Sequence, residues 1–285
     1  MKAIRILTGL VFVFIIVLTA FAQEDATNEA KKAYNEGLKL LKRRQTSEAI
    51  EQLNSAVATD PSLAPAYYAL GLAYKMERDY PRAEDFYKKA IEKDDKMSKA
   101  YIALGQLYAS QEKYTNALNT FTAALGIDPQ DAKAHFGMGY VYIKRKDYKN
   151  AIAGYQSAVE ADPTYAKAWL NLGTSYYHER QYAEAENAFQ KALENEKRKT
   201  DHGPIYLHLG NTLSKLNRQN EAIEAYNNCL KTATKSYLKG ASNFGLGEIY
   251  KKQGEKSKAL TYFQAASRDR SWKQSALYEI DELNR

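Results

Sequence analysis

The chain has 285 residues, 45% hydrophobic and 26% charged, with 41 Lys and Arg against 34 Asp and Glu for a formal charge of +7. That balance excludes extended disorder, which needs lower hydrophobicity and a higher charge density, and it lies far from the basic density of a dedicated nucleic-acid binder. One cysteine, Cys229, excludes an internal disulfide in an oxidising compartment, so stability has to come from packing.

At the start, Lys2 and Arg5 precede an uncharged run from Ile6 to Thr19 that closes on Ala20-Phe21-Ala22. This three-part pattern predicts a secretory signal peptide over residues 1–22, cleaved before Gln23, and hence an exported chain, periplasmic or secreted from a bacterial envelope. The alternative is an uncleaved membrane anchor, although a span takes about 20 apolar residues. No cysteine stands near the cleavage point to carry a lipid. Loss of Lys2 and Arg5 leaves 39 basic against 34 acidic residues, or +5. Residues 23–29 read as a lead-in.

From residue 30 a pattern returns around Gly37, Gly71, Gly105, Gly139, Gly173, Gly210 and Gly247, with spacings of 34 up to Gly173 and 37 beyond it. Seven units follow, over 30–63, 64–97, 98–131, 132–165, 166–202, 203–239 and 240–273. Such periodicity marks an array of supersecondary units rather than one large core. An alanine stands twelve residues after every glycine (Ala49, Ala83, Ala117, Ala151, Ala185, Ala222 and Ala259), and a large residue sixteen after (Leu53, Tyr87, Phe121, Tyr155, Phe189, Tyr226 and Phe263).

In the fifth unit, "WLNLGTSYY" places 169, 172, 173 and 176 on one helical face, and a second helical run carries Ala185, Ala188, Phe189 and Ala192. The short turn "HERQY" between them predicts two antiparallel helices. Gly173 and Ala185 are expected to let the axes approach, with Phe189 and Tyr176 filling the space around them. Asp60-Pro61, Asp128-Pro129 and Asp162-Pro163 end units, because the residue before proline is pushed out of helical conformation.

Trp169-x2-Leu172-Gly173-x2-Tyr176, then Ala185-x3-Phe189, with Pro61, Pro129 and Pro163 closing units, resembles the tetratricopeptide repeat. The resemblance covers residues 30–273. It implies an all-α fold, a right-handed superhelical solenoid of antiparallel helix pairs. The first unit departs from the pattern at Glu36 and Leu40, as a solvent-facing end requires. The 37-residue spacings put extra residues near "NEKRKTDHG" and "KTATKSYLKG". Residues 274–285 are expected to form a capping helix with Ala276, Leu277, Ile280 and Leu283 on one face.

No catalytic constellation is present in the sequence. His135, His178, His202 and His208 lack metal-ligand spacing, no glycine loop suits a phosphate, and Cys229 occupies a small-residue position. The expectation is therefore no enzyme, no cofactor and no metal. The resemblance implies that the first helix of each pair lines a concave groove. The partner-binding residues so implied are Tyr68, Leu72, Ile102, Gln106, Phe136, Tyr140, Leu170, Thr174, Tyr177, Leu207 and Asn211, with Leu38, Leu41, Lys42, Lys75 and Met76 among further lining positions.

This apolar and aromatic floor bordered by lysines suits a protein or peptide with hydrophobic anchors and some negative charge. The alternative reading is that these tyrosines pack between neighbouring repeats. Repeats that clamp acidic C-terminal tails of cytosolic chaperones carry lysine and asparagine where this chain has Tyr68 and Leu72, which argues against that ligand. Basic turns (Lys42-Arg43-Arg44, Lys75 with Arg78, Lys144-Arg145-Lys146, Lys215 with Arg218, Lys251-Lys252) are expected to align as an edge that stabilises helix C-termini or meets an acidic partner or membrane surface. The leading function is a non-enzymatic binding scaffold. Alternatives are an envelope accessory holding carbohydrate or lipid, and a regulatory subunit of an envelope enzyme.

Overall fold

The computed structural model describes residue 25 and residues 27–285. The expected signal peptide, 1–22, lies outside the described residues. Fifteen helices and no strand are found among those described. Helix α1 covers residues 27–42, so the end of the expected lead-in is already helical. There follow α2 (Thr46–Thr59), α3 (Ala64–Met76), α4 (Tyr80–Lys93), α5 (Ser98–Ser110), α6 (Tyr114–Ile127), α7 (Ala132–Lys144), α8 (Tyr148–Ala161), α9 (Ala166–His178), α10 (Tyr182–Asn195), α11 (His202–Lys215), α12 (Gln219–Thr232), α13 (Ser236–Lys252), α14 (Lys256–Ala266) and α15 (Lys273–Asn284). Two compact units succeed one another, the first ending at Pro129 and the second beginning at Gln130.

Within each pair the glycine of the first helix meets the large side chain of the second. A Cβ built on Gly173 would lie 2.6 Å from Phe189 Cε1, and one on Gly71 would lie 2.5 Å from the Tyr87 ring. Phe189, Tyr87, Phe121, Tyr155 and Phe263 are fully buried, as are Ala185 and its counterparts. The expectation for Phe189 is thus realised. Tyr176 is different, for it is half-buried and lines a separate cavity on another side of α9.

Each tight turn between paired helices is closed by one residue in the left-handed region: Arg44, Arg78, Glu112, Lys146, Arg180, Asn217 and Gly254, with φ between 58° and 75°. Only the last is glycine. Aspartates then start several second helices: Asp79 accepts from the Arg82 amide and Asp147 from that of Asn150, which satisfies otherwise orphaned N–H groups.

The longer spacings have distinct outcomes. The first extra residues form a 3₁₀ turn, Lys199–Asp201, before α11. The second lengthen α13 at its start to 17 residues, and Ser236 Oγ in that added turn donates to Asp269 at 2.6 Å. At the C-terminus α15 packs on α14, with Ala276, Ile280 and Leu283 against Phe263 and Ala266. Leu277 does not share this face as expected, since it is 47% exposed. Positions 276, 280 and 283 follow the helical period, and 277 is turned about 100° from 276.

Candidate functional site

In the first unit, α1 and α3 present an open cleft of about 540 Å3 lined by Leu38, Leu41, Lys42, Leu72, Lys75 and Met76. All six are positions on the first-helix face implied by the repeat resemblance. Met76 is 48% exposed, an unusual state for a side chain with so much apolar surface. Burial against this floor holds the Lys75 ammonium below the usual lysine range, because low-polarity surroundings disfavour the charged form. Among the described residues Lys75 has no acidic partner.

Tyr68 stands one turn before Leu72. Its ring centroid is 5.9 Å from that of Tyr87 and Lys99 Nζ lies 5.2 Å from it. Burial, then the neighbouring Tyr34, push its hydroxyl up. On α5, Gln106 is exposed, but Ile102 is only 6% exposed. Ile102 is therefore a core residue and not an open groove contact, a correction to the position-by-position transfer.

In the second unit the expected residues divide further. Phe136 is half-buried between Tyr155 and Tyr165, at centroid distances of 5.4 and 5.0 Å, so it packs helices together instead of standing free as an anchor. Tyr140 is 36% exposed, with Lys144 Nζ 5.3 Å from its ring. Thr174 Oγ1 donates to the Leu170 carbonyl at 2.9 Å, and Tyr177 lies edge-on to Tyr182 at 5.5 Å. Leu207 packs against the buried cluster around Cys229 and Leu238. Leu170 opens on a second, smaller cleft of about 220 Å3 with Lys167, Pro204, Thr234 and Lys235, built where the added turns lie.

One position after the repeat glycine has a consequence beneath the floor. Asn211 there accepts a hydrogen bond from the Tyr226 hydroxyl at 2.8 Å. Leu72 and Tyr140 stand at the same position in their pairs, and the buried hydroxyls of Tyr87 and Tyr155 find no partner among the described residues. Buried polar groups without partners are rare enough to mark a place where another molecule or water completes the bonding.

The basic turns are not one bare edge. Arg218 bridges Glu186 and Glu221, Lys251 pairs with Glu279, and Lys113 reaches Glu84 at 3.4 Å. Among the described residues no helix is long and apolar enough to cross a membrane, and no cluster of His, Cys, Asp and Glu suits a metal ion.

No curated protein matches the chain. Among solved structures, it is similar to the C-terminal part of a TPR repeat-containing protein from Cytophaga hutchinsonii, at 18% identity and TM-score 0.70 over 87% of this chain and 99% of that one. PilF of Pseudomonas aeruginosa aligns at 19% identity and TM-score 0.64, covering 74% and 93% of the two chains. A tetratricopeptide repeat protein from Parabacteroides merdae aligns at 17% and 0.58, covering 90% and 100%. The family model for the tetratricopeptide repeat protein 21 C-terminal ARM domain matches residues 17–166, and tetratricopeptide-repeat models match 164–235 and 207–274. With the paired helices and the contact of each repeat glycine with a large side chain of the second helix, a ring in six pairs and Leu53 in the first, these matches show that the chain belongs to the tetratricopeptide-repeat family.

Proposed function

We propose that the chain is an exported, non-catalytic scaffold that holds a peptide or protein partner against the first helices of its pairs, in the cell envelope or outside the cell. In this reading residues 30–273 act as seven repeats and the signal peptide is removed before Gln23. The observation that carries it is the cleft of Leu38, Leu41, Leu72 and Met76 with Lys42 and Lys75 at its border. An aliphatic side chain of the partner fills the cleft, and a carboxylate beside it gives the partly desolvated Lys75 the counter-charge it lacks. Turn residues such as Lys42, Arg43 and Arg44 add long-range attraction to an acidic partner or an anionic surface.

The test is capture from an envelope extract, identification by mass spectrometry, and titration of the purified partner. Leu72→Asp is expected to weaken that partner about tenfold or more, which is about 1.4 kcal/mol, while circular dichroism stays helical. Retention of glycan or lipid in place of protein supports the accessory reading, and undiminished binding by Leu72→Asp moves the site away from this cleft.

A further inference from the structure

Away from the first-helix face, α8, α9 and α10 enclose an open cavity of about 540 Å3. Trp169 and Tyr176 of α9 form one wall, Asn187 and Ala188 of α10 another, and the carboxylates of Glu160 and Glu184 stand in its lining. Both rings are held in place. The Trp169 indole Nε1 donates to the Pro163 carbonyl at 2.8 Å, and the Tyr176 hydroxyl accepts from Gln156 Nε2 at 2.8 Å. Glu160 and Glu184 are exposed, and neither has an ion-pair partner among the described residues.

Two other pairs of the same chain show one way in which this place is filled. Three residues after the repeat glycine, Tyr74 and Tyr250 correspond to Tyr176. Fifteen after it stand Phe86, Tyr262 and Ala188; eleven after it, Arg82, Lys258 and Glu184. In the α3–α4 pair the Phe86 ring stacks on Tyr74, centroids 5.2 Å apart and planes 8° from parallel, and the Arg82 guanidinium lies 4.9 Å from the Tyr74 centroid. In the α13–α14 pair Tyr262 stacks on Tyr250 at 5.4 Å and 5°, with Lys258 Nζ at 5.0 Å. The chain twice supplies a flat group and a cation over this tyrosine. In the α9–α10 pair Ala188 removes the flat group, as Thr120 and Gly154 do in the pairs of Tyr108 and Tyr142, but among the pairs with this tyrosine only here does an acid, Glu184, replace the cation, where those two pairs carry Asn116 and Asn150.

We propose that the cavity is a binding site for an arginine side chain presented by a protein partner. Guanidinium is planar like the missing ring and positive like the missing cation. It stacks on aromatic faces and bonds a carboxylate through two parallel N–H groups, while its methylene stem lies along Val159 and Leu172. Lysine supplies the charge without the plane. A neutral aromatic side chain fills the slot and leaves Glu160 and Glu184 without a counter-charge. This site is separate from the α1–α3 cleft, so the two readings stand or fall independently.

The chain has two tryptophans, so the indole N–H resonances of the full mature chain report on the cavity once Trp272→Phe assigns them. N-acetyl-arginine amide should shift the Trp169 resonance saturably at millimolar concentration. The neutral isostere N-acetyl-citrulline amide should bind about tenfold more weakly, and Glu184→Gln should weaken the arginine probe by a similar factor. Ala188→Phe, which installs the ring that Phe86 supplies in the α3–α4 pair, should abolish binding. Because an added ring can disturb α10, Glu184→Arg is a second block, with folding checked by circular dichroism. Leu72→Asp should leave the arginine probe unaffected. Absence of a saturable shift, equal binding of the citrulline probe, or binding that survives in a folded blocking variant overturns the proposal.

Discussion

Gly173 shows how much one missing methyl group decides. Alanine is the better helix former by about 1 kcal/mol, yet its Cβ would sit 2.6 Å from Phe189, a fully buried ring with nowhere to move. Overpacking of this kind costs about 1–3 kcal/mol, so it outweighs the gain in propensity. Gly173→Ala is expected to lower the urea midpoint, with a net loss of stability of up to about 2 kcal/mol. Gly126, which has no atom within 4 Å of a built Cβ, is the control, and Gly126→Ala should raise it. An equal response at both positions would refute the close-packing account. Residue type alone did not distinguish these two glycines; the repeat register did, because Gly173 recurs opposite a ring and Gly126 does not.

At the scale of the helix pair, the turns carry stored strain. Arg180 holds φ at 61°, a conformation that costs a residue with a Cβ about 1–2 kcal/mol, and it is exposed, so nothing packs on its side chain in return. Glycine occupies the matching position at Gly254 with φ of 75°. Arg180→Gly should therefore stabilise the chain by about 0.5–1 kcal/mol, after allowance for the greater freedom of glycine when unfolded; a lower melting temperature would contradict the strain argument. The seven turns could be located from the sequence, but their backbone sign could not be read there, since arginine, lysine, glutamate and asparagine all occupy a position where glycine is the usual signal. The length change at the later spacings was legible as well. One insertion became a 3₁₀ turn, and the other an extra helical turn whose Ser236 is tied to Asp269, 33 residues away, a contact that local sequence does not announce.

For the whole molecule, buried titratable groups set the pH range of stability. His208 stacks on Phe189 at 5.5 Å, and burial, then the charge of His178, lower it from 6.5 to about 4. The unfolded chain takes up that proton first, so stability should fall as pH drops from 6.5 toward 4 and level off below for this group. Glu84 and Asp147 are held below the usual carboxylate range, Asp147 chiefly by Asn150, and their contributions are lost on further acidification. At the other end burial raises the hydroxyls of Tyr87, Tyr155 and Tyr226 above 10.0, so stability declines once the unfolded chain ionises above pH 10. The Cys229 thiol, which burial likewise pushes up from 9.0, begins that decline earlier, so melting temperature should be nearly flat between about 6.5 and 9, and His208→Gln should remove the shoulder between 6.5 and 4; persistence of that shoulder would assign it to other groups. Helix count, pairing, the glycine-to-ring contact and the repeat family all follow from local order along the chain, because each depends on residues within one unit and recurs in the next. Which candidate residues stay open does not. Ile102 lies on the expected face yet is buried, Phe136 is half-buried against Tyr155 and Tyr165, Leu72 and Met76 line an open cleft, and the cavity beside Trp169 is lined by Ala188 where the α3–α4 and α13–α14 pairs carry Phe86 and Tyr262. Register assigns a side chain to a face of its helix, whereas exposure depends on the volume of neighbours brought in from other helices, and that is settled only when they pack.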